Sequence, residues 1–364
     1  MPCPLDSLLT HDRQNDLNEY TSNIDLDQAA AFLREAQGRI AVLTHTKPDG
    51  DAGGSVVALV SALRAMGKDA VGLLVPPILP GLSPMVSVPG VQVVDDVAQI
   101  PAAQHYVIVD TGAWSQVGPL RELIEEHLDH TTIFDHHLAG DIPAARRYID
   151  SKSAAAAEII ADLVEMLVDV PALDKEVGKI INEALFTGIS SDTGWFRFSN
   201  VTPRTHTLAA RLIDRGVDHA NLFGRLEQSE RPEKLALLIR AVGSLQLLAD
   251  GKAAIMTLRV ADFDETGALP EETERLIDIP QAVSSIQAIA LITEVHHGEG
   301  IQTRISFRSK PLANAVNVSQ LAEQFGGGGH ARAAGAKLDA PVDEVVQRVV
   351  EALTAAVNGA THTA

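Results

Sequence analysis

Arg39-Ile-Ala-Val-Leu-Thr44 runs directly into His45-Thr-Lys-Pro-Asp49-Gly-Asp51. The apolar run, closed by a polar stretch rich in Gly and Asp, reads as a buried strand ending in a loop. The same figure returns twice: Tyr106-Val-Ile-Val109 ends at Asp110, and Thr131-Thr-Ile-Phe134 ends at Asp135-His136-His137. Between and around these runs the spacing predicts strands over 70–75 and 91–94. It predicts helices over 26–35, 55–66, 119–128, 153–168, 173–189 and 203–216. Alternating strands and helices with short connections give an α/β class: a mainly parallel sheet flanked by helices.

The composition shifts after about residue 220. Residues 221–248 read as helical, 253–260, 286–295 and 302–307 as strands, and 318–325 and 342–357 as helices. The expected organisation is a larger N-terminal domain over 26–220, a helical linker over 221–244, and a smaller α/β domain with a mixed sheet over 245–360. A cleft between the two domains is expected. Residues 1–25 read as a loose polar arm without an assigned role.

The chain has 364 residues and a formal charge of −19, too acidic for a protein that grips long nucleic acid through its phosphates. A single cysteine, Cys3, rules out a disulfide within the chain and suits a reducing compartment. With no signal-like start and no apolar run of spanning length, the expectation is a cytoplasmic protein without a membrane partner.

The chemistry-bearing residues stand at equivalent places. His45, Asp49 and Asp51, then Asp110, then Asp135, His136 and His137 follow strands; Asp192, in Gly188-Ile-Ser-Ser-Asp192-Thr-Gly194, follows a helix. In open α/β sheets ligands bind beyond the carboxyl ends of the strands, so these groups would converge. Taken singly, each has an ordinary explanation: Asp-Gly-Asp as a turn, Asp110 as a polar strand end, Asp-His-His as surface, Asp192 as a helix terminus. All four in order argue for convergence. Packed together as anions, the aspartates would repel unless divalent cations sat among them. Imidazoles beside carboxylates suit Mn²⁺, Fe²⁺ or Zn²⁺ better than Ca²⁺. Two ions roughly 3.5–4 Å apart would clamp a phosphoryl group for attack by an activated water.

These four motifs together resemble the signature of the DHH phosphoesterase superfamily. Phe325-Gly-Gly-Gly-Gly-His330-Ala-Arg-Ala-Ala-Gly335, with the preceding Ser306-Phe-Arg308-Ser309, resembles the DHH-associated substrate domain. The resemblance covers roughly residues 26–357, and the compact length is similar to the nanoRNase and pAp-phosphatase branch. It implies that His45, Asp49 and Asp110 hold one metal, and that Asp51, Asp110, His136 and Asp192 hold the other, with Asp110 bridging. It implies that Asp135 orients a histidine and that His137 donates to the scissile phosphate or its leaving group. Two divalent ions, commonly Mn²⁺, are the implied cofactors. The implied partners are short RNA oligonucleotides or nucleotides such as pApA, pGpG and pAp, and a homodimer is compatible.

At the substrate end, Gly327, Gly328 and Gly329 read as a loop whose amides approach an anion. His330 and Arg332 follow, and Arg304, Arg308 and Ser309 precede. Residues 301–337 carry five Lys or Arg against the single acid Glu323, a local basicity suited to phosphate. The ordinary alternative is a flexible glycine linker beside solvated arginines. Competing readings are a cyclic-dinucleotide phosphodiesterase acting in signalling, a manganese-type inorganic pyrophosphatase, which the Gly-rich segment disfavours, and a non-catalytic nucleotide-binding module.

Overall fold

The computed structural model describes residues 20–298, 300–312 and 315–360. It divides into two compact units, the first ending at Ser229 and the second beginning at Glu230. Cys3 and the rest of the arm up to residue 19 lie outside the described residues.

In chain order, the first unit comprises α1 (Leu26–Glu35), β1 (Ile40–Leu43), α2 (Gly50–Ala65), β2 (Ala70–Leu74), α3 (Ser83–Val86), β3 (Val91–Val93) and β4 (His105–Val109). There follow α4 (Arg121–Glu125), β5 (Thr131–Asp135), β6 (Arg146–Ile149), α5 (Ala156–Leu167), α6 (Lys175–Asp192), α7 (Pro203–Asp214) and α8 (His219–Glu227). The six strands form one sheet in the order β3-β2-β1-β4-β5-β6, with every neighbouring pair parallel. Alternate residues feed opposite faces. Ile40, Val42, Val107 and Val109 join α1, α2, α5 and α6 in one core, while Ala41, Leu43, Tyr106, Ile108 and Ile133 pack with α4 and its flanking loops in another. Because both faces are covered, the strands read as continuous apolar runs instead of alternating ones.

Helix α2 starts at Gly50, so the Gly/Asp stretch expected to be a loop is its first turn. Asp49 is the N-cap, accepting from the amides of Asp51 (3.0 Å) and Ala52 (3.1 Å). Every α2 residue from Gly50 to Leu63 is buried, as expected of a helix with apolar and small residues all round. Its close neighbour is α6. A Cβ on Gly54 would lie 2.3 Å from the Ala184 carbonyl oxygen, and one on Gly50 would lie 2.6 Å from Ser191 Cβ. The glycines serve as contact surface between helices.

β6 and the N-terminal strap beside it were not anticipated. From Tyr20 onward the expected loose arm is anchored. Asn23 and Ile24 amides donate to the Arg147 carbonyl (2.9 and 3.3 Å), and Ser22 Oγ accepts from the Ile149 amide (2.7 Å). This segment covers the exposed edge of the sheet, which an unpaired strand would otherwise present to other chains.

The second unit comprises α9 (Pro232–Gly243), β7 (Gln246–Leu248), β8 (Ala253–Leu258), α10 (Val260–Thr266), β9 (Ala288–His297), β10 (Gly300–Ser309), α11 (Val318–Glu323), β11 (Gly328–His330), β12 (Ala333–Leu338) and α12 (Val342–Ala360). The helix expected over 221–248 is two helices, α8 and α9, with Pro232 opening the second, and its last residues form β7. The sheet order is β11-β12-β10-β9-β8-β7. It is mixed: β8 and β9 run parallel, and the other pairs are antiparallel. One face is covered by α11 and α12 over Ile305, Phe307, Ala334 and Ala336. The other is covered by α9, α10 and residues 276–282, mainly over β8 and β9. The glycine-rich segment, expected as a loop, ends in β11, hairpinned onto β12.

Candidate metal centre

Strand order explains why the centre lies where it does. From β1 the chain winds outward through β2 and β3, then returns to place β4 on the other side of β1. Brackets of this kind open a crevice at the carboxyl end, between β1 and β4. His45 follows β1, Asp110 follows β4, and Asp135 to His137 close β5. Asp51 enters on the first turn of α2, and Asp192 is the last residue of α6, which packs against α2.

Asp110 lies at the middle. One carboxylate oxygen, Oδ2, is 3.5 Å from His45 Nε2, and the other, Oδ1, is 3.4 Å from His136 Nε2. The same His136 nitrogen lies 3.5 Å from Asp192 Oδ2 and 3.9 Å from Asp51 Oδ2. Asp110 holds a left-handed backbone (φ 62°), uncommon outside glycine but least costly for Asp and Asn. Strain of this kind persists where the surroundings over-determine it.

Four of the ligand candidates are held by protein contacts on the side away from the centre. His45 Nδ1 donates to its neighbour Thr46's carbonyl (2.9 Å), and His136 Nδ1 donates to the Ser153 carbonyl (3.3 Å). Both Nε2 atoms are thereby directed inward. Asp49 uses Oδ1 for its cap. Asp51 accepts from the amides of Ala156 (2.6 Å) and Ala157 (2.8 Å), the first residues of α5, where the helix dipole favours an anion.

Divalent ions fit this donor set. Asp110 Oδ1 and His136 Nε2 are buried without a hydrogen-bond partner, which a closed polar network would not leave. Two triads, His45–Asp49–Asp110 and Asp51–His136–Asp192, each bring their ligand atoms within 4.8 Å of one another; Asp110, His136 and His137 form a third group. In protein alone the charges conflict. Burial and the neighbouring Asp110 push Asp49 and Asp51 above the ordinary carboxylate range. Asp192 is pushed up to about 6 by burial and by the acids around it, against the pull of His136. Burial would lower His45, but the Asp110 carboxylate and the Thr46 carbonyl outweigh it and lift the imidazole to about 9. Asp110, Asp51 and Asp192 likewise lift His136, against burial, to about 10. Asp110 itself is driven up by burial yet ends below its usual range because the two imidazoles adjoin it.

A pH dependence of metal uptake follows. Below about 9 both imidazoles carry a proton that a metal ion must displace, so uptake at pH 7 should release protons and weaken as pH falls. Titration calorimetry with Mn²⁺ in two buffers of different ionisation enthalpy measures the release; identical heats in both would contradict it.

Asp135 differs from its neighbours. Fully buried, it accepts through Oδ1 from His137 Nδ1 (2.7 Å) and from the His136 amide (2.8 Å), and through Oδ2 from the Tyr20 hydroxyl (2.6 Å). The histidine it orients is therefore His137, not the inward-facing His136. That hydrogen bond, helped by the Asp135 charge, raises the His137 pKa.

In the second unit, the strand register gathers most of the expected substrate residues on one face. Along β10, Gln302, Arg304, Ser306 and Arg308 are half-buried and alternate with buried Thr303, Ile305, Phe307 and Ser309. Arg308 lies opposite Ala333, and Ala333 lies opposite His330; in the next row Ser306, Gly335 and Gly328 lie side by side. Arg304 lies opposite Lys337 one row further. A floor without large side chains is thus bordered by cationic or imidazole groups. A Cβ on Gly327 would lie 2.1 Å from the Gly335 carbonyl oxygen, and Gly329 has φ 143°, so Gly327 and Gly329 keep this hairpin close. Ser309 belongs to the covered face with Phe307, and Arg332 is exposed in the β11–β12 turn.

Comparison with known proteins agrees with this picture. Residues 39–189 match the DHH family, N-terminal domain, and residues 250–359 match the DHHA1 domain. The chain is 29% identical over 327 residues to the bifunctional oligoribonuclease and PAP phosphatase NrnA of Thermus thermophilus, covering 89% of this chain and 92% of that one. It is 27% identical over 300 residues to the Bacillus subtilis protein of the same description, covering 81% and 87%. An exopolyphosphatase-related protein from Bacteroides fragilis shares the fold, with a TM-score of 0.79 at 19% identity over 93% of this chain and 97% of that one. Family matches in this order and a paired set of inward-facing histidines and aspartates agree: the chain is a metal-dependent phosphoesterase of the DHH family, a DHH N-terminal domain followed by a DHHA1 domain.

Proposed function

We propose that this protein hydrolyses very short oligoribonucleotides, including linear dinucleotides such as pApA and pGpG, and pAp, to mononucleotides, with two Mn²⁺ ions as cofactors. The observation that carries the chemistry is the pair of triads, with Asp110 a member of one and 3.4 Å from His136 of the other. His45, Asp49 and Asp110 would hold one ion; Asp51, Asp110, His136 and Asp192 would hold the other. Bound there, the ions would lower the pKa of a water and offset charge on the phosphoryl oxygens. His137, its Nδ1 engaged by Asp135, has Nε2 left to donate to a phosphoryl or leaving oxygen.

The substrate class is supported by the relatives named as oligoribonucleases and PAP phosphatases and by the open face of the second unit. A bare glycine and serine row accommodates a flat base or sugar, and Arg308, His330 and Arg304 border it with donors for phosphate. Overall charge of −19 fits a small anionic substrate better than a long one. Arg308→Ala should raise KM for pApA about tenfold or more, the cost of one charge-assisted contact, while kcat and Mn²⁺ affinity stay near wild type. An unchanged KM would remove Arg308 from recognition.

The deciding experiment is a substrate panel of pAp, pApA, pGpG, cyclic dinucleotides, longer RNA and pyrophosphate, each with Mn²⁺ or Mg²⁺. The expected result is the highest kcat/KM on linear dinucleotides and pAp. Preference for pyrophosphate or for a cyclic dinucleotide would overturn the assignment.

A further inference from the structure

We propose that Tyr20 is a positioning residue for the reaction, acting through Asp135 on His137. The inference rests on the reading of His137 as the group that donates to the phosphate. It begins from a contact that spans 115 residues of sequence: the Tyr20 hydroxyl donates to Asp135 Oδ2 at 2.6 Å. Asp135 spends its other oxygen on His137 Nδ1, on the His136 amide, and on the His137 amide at 3.2 Å. The Asp135 carboxylate is fully buried. Without the phenol its Oδ2 would lose the partner that the structure gives it, and the carboxylate would be free to turn. Rotation of that group is rotation of the acceptor that sets the tautomer and tilt of His137.

The site is shaped for the ring. A Cβ on Gly112 would lie 1.8 Å from the Tyr20 oxygen, and one on Gly140 would lie 2.4 Å from Tyr20 Cε2. Gly112 belongs to the loop directly after Asp110, and Gly140 to the loop directly after His137. Only side-chain-free backbone at both places lets the ring reach Asp135.

Holding the strap does not require the hydroxyl. Residues 22–24 are tied to β6 and the residue before it by Ser22 with Ile149, by Asn23 Nδ2 to the Ala145 carbonyl (2.9 Å), by the Arg147 amide to Asn23 Oδ1 (2.6 Å), and by two backbone bonds to Arg147. An anchored strap that still directs its phenol at Asp135 does work beyond edge protection.

The test is Tyr20→Phe in the full chain, which keeps the ring and removes the donor. With saturating Mn²⁺ and pApA, kcat should fall about tenfold, the size of effect expected for a partner of an active-site histidine. KM and the calorimetric Mn²⁺ affinity should stay within about twofold. In metal-free protein the His137 ring N–H resonance should move on Tyr20→Phe, a signature that a strap anchor would not touch. In a His137→Asn background the same substitution should change kcat by less than about twofold, because its target is gone. A kcat for Tyr20→Phe equal to wild type beside a crippled His137→Asn would overturn this inference alone. An equal loss in both backgrounds would do the same. Full activity in His137→Asn would instead remove the reading of His137 on which the inference stands.

Discussion

Asp110→Asn should reduce kcat on the order of 10³-fold or more and abolish tight binding at both metal positions, the largest effect of any single substitution in the protein. The reason is geometric. Asp110 reaches both imidazoles, its two oxygens 3.5 Å from His45 and 3.4 Å from His136, so one carboxylate supplies charge to both triads. Asparagine preserves the shape and tolerates the left-handed backbone at φ 62°, so loss of fold does not account for the loss of function. Stability gives a second reading. In protein without metal, the Asp110 charge is a cost to Asp49 and Asp51 but favours the two imidazoles beside it, which hold Asp110 below its usual range. The rise in Tm that Mn²⁺ gives wild type should vanish in the variant, each protein being compared with its own metal-free Tm. Retained turnover, or an undiminished metal-induced rise in Tm, would remove the shared-carboxylate arrangement.

The same contrast of charge and shape explains what was legible in the sequence. β1, β4 and β5 are buried on both faces, so their apolar runs are continuous and the acidic or histidine residues that end them stand out. His45, Asp110 and Asp135 to His137 could be located from that alone. The start of α2 could not. Asp49-Gly-Asp51 and Gly53-Gly54 have the composition of a turn, and glycine disfavours helix by up to ~1 kcal/mol per residue; contact with α6 overrides that preference. β6 was invisible for a different reason: its Arg146-Arg147-Tyr-Ile run is half-buried at a sheet edge, without the apolar signal of its neighbours. In the second unit the glycines read as a loop whose amides approach an anion; in the structure Gly327 and Gly329 lie close against the neighbouring strand β12. A period of two places Ser306 with Arg304 and Arg308, and Ser309 on the covered face. Tyr20 had no local signal, because its partner is distant in sequence.

Gly54→Ala should destabilise the first unit by about 1–3 kcal/mol or more, with a sign opposite to that of helix propensity. On an isolated helix the substitution would help by up to ~1 kcal/mol. Here the added Cβ would lie 2.3 Å from the Ala184 carbonyl oxygen and 3.1 Å from the Gly188 amide. Both are backbone atoms of α6, so no side chain can swing aside and the helix itself must shift. α6 ends at Asp192, and Gly188, on the same helix, leaves only enough room for Asp51: a Cβ there would lie 2.9 Å from Asp51 Oδ1. Displacement of α6 therefore acts on the Asp51–His136–Asp192 triad, and Mn²⁺ affinity should fall together with Tm. Gly53→Ala is the matched control. Its Cβ would meet Met85 Cε at 3.3 Å, the far end of a flexible side chain, so stability and metal binding should stay near wild type. Chemical denaturation of both variants without metal, followed by metal titration, separates the two cases. A Gly54→Ala protein as stable as wild type would mean that α2 and α6 do not pack at this distance, and the placement of Asp51 beside Asp192 would lose its structural cause.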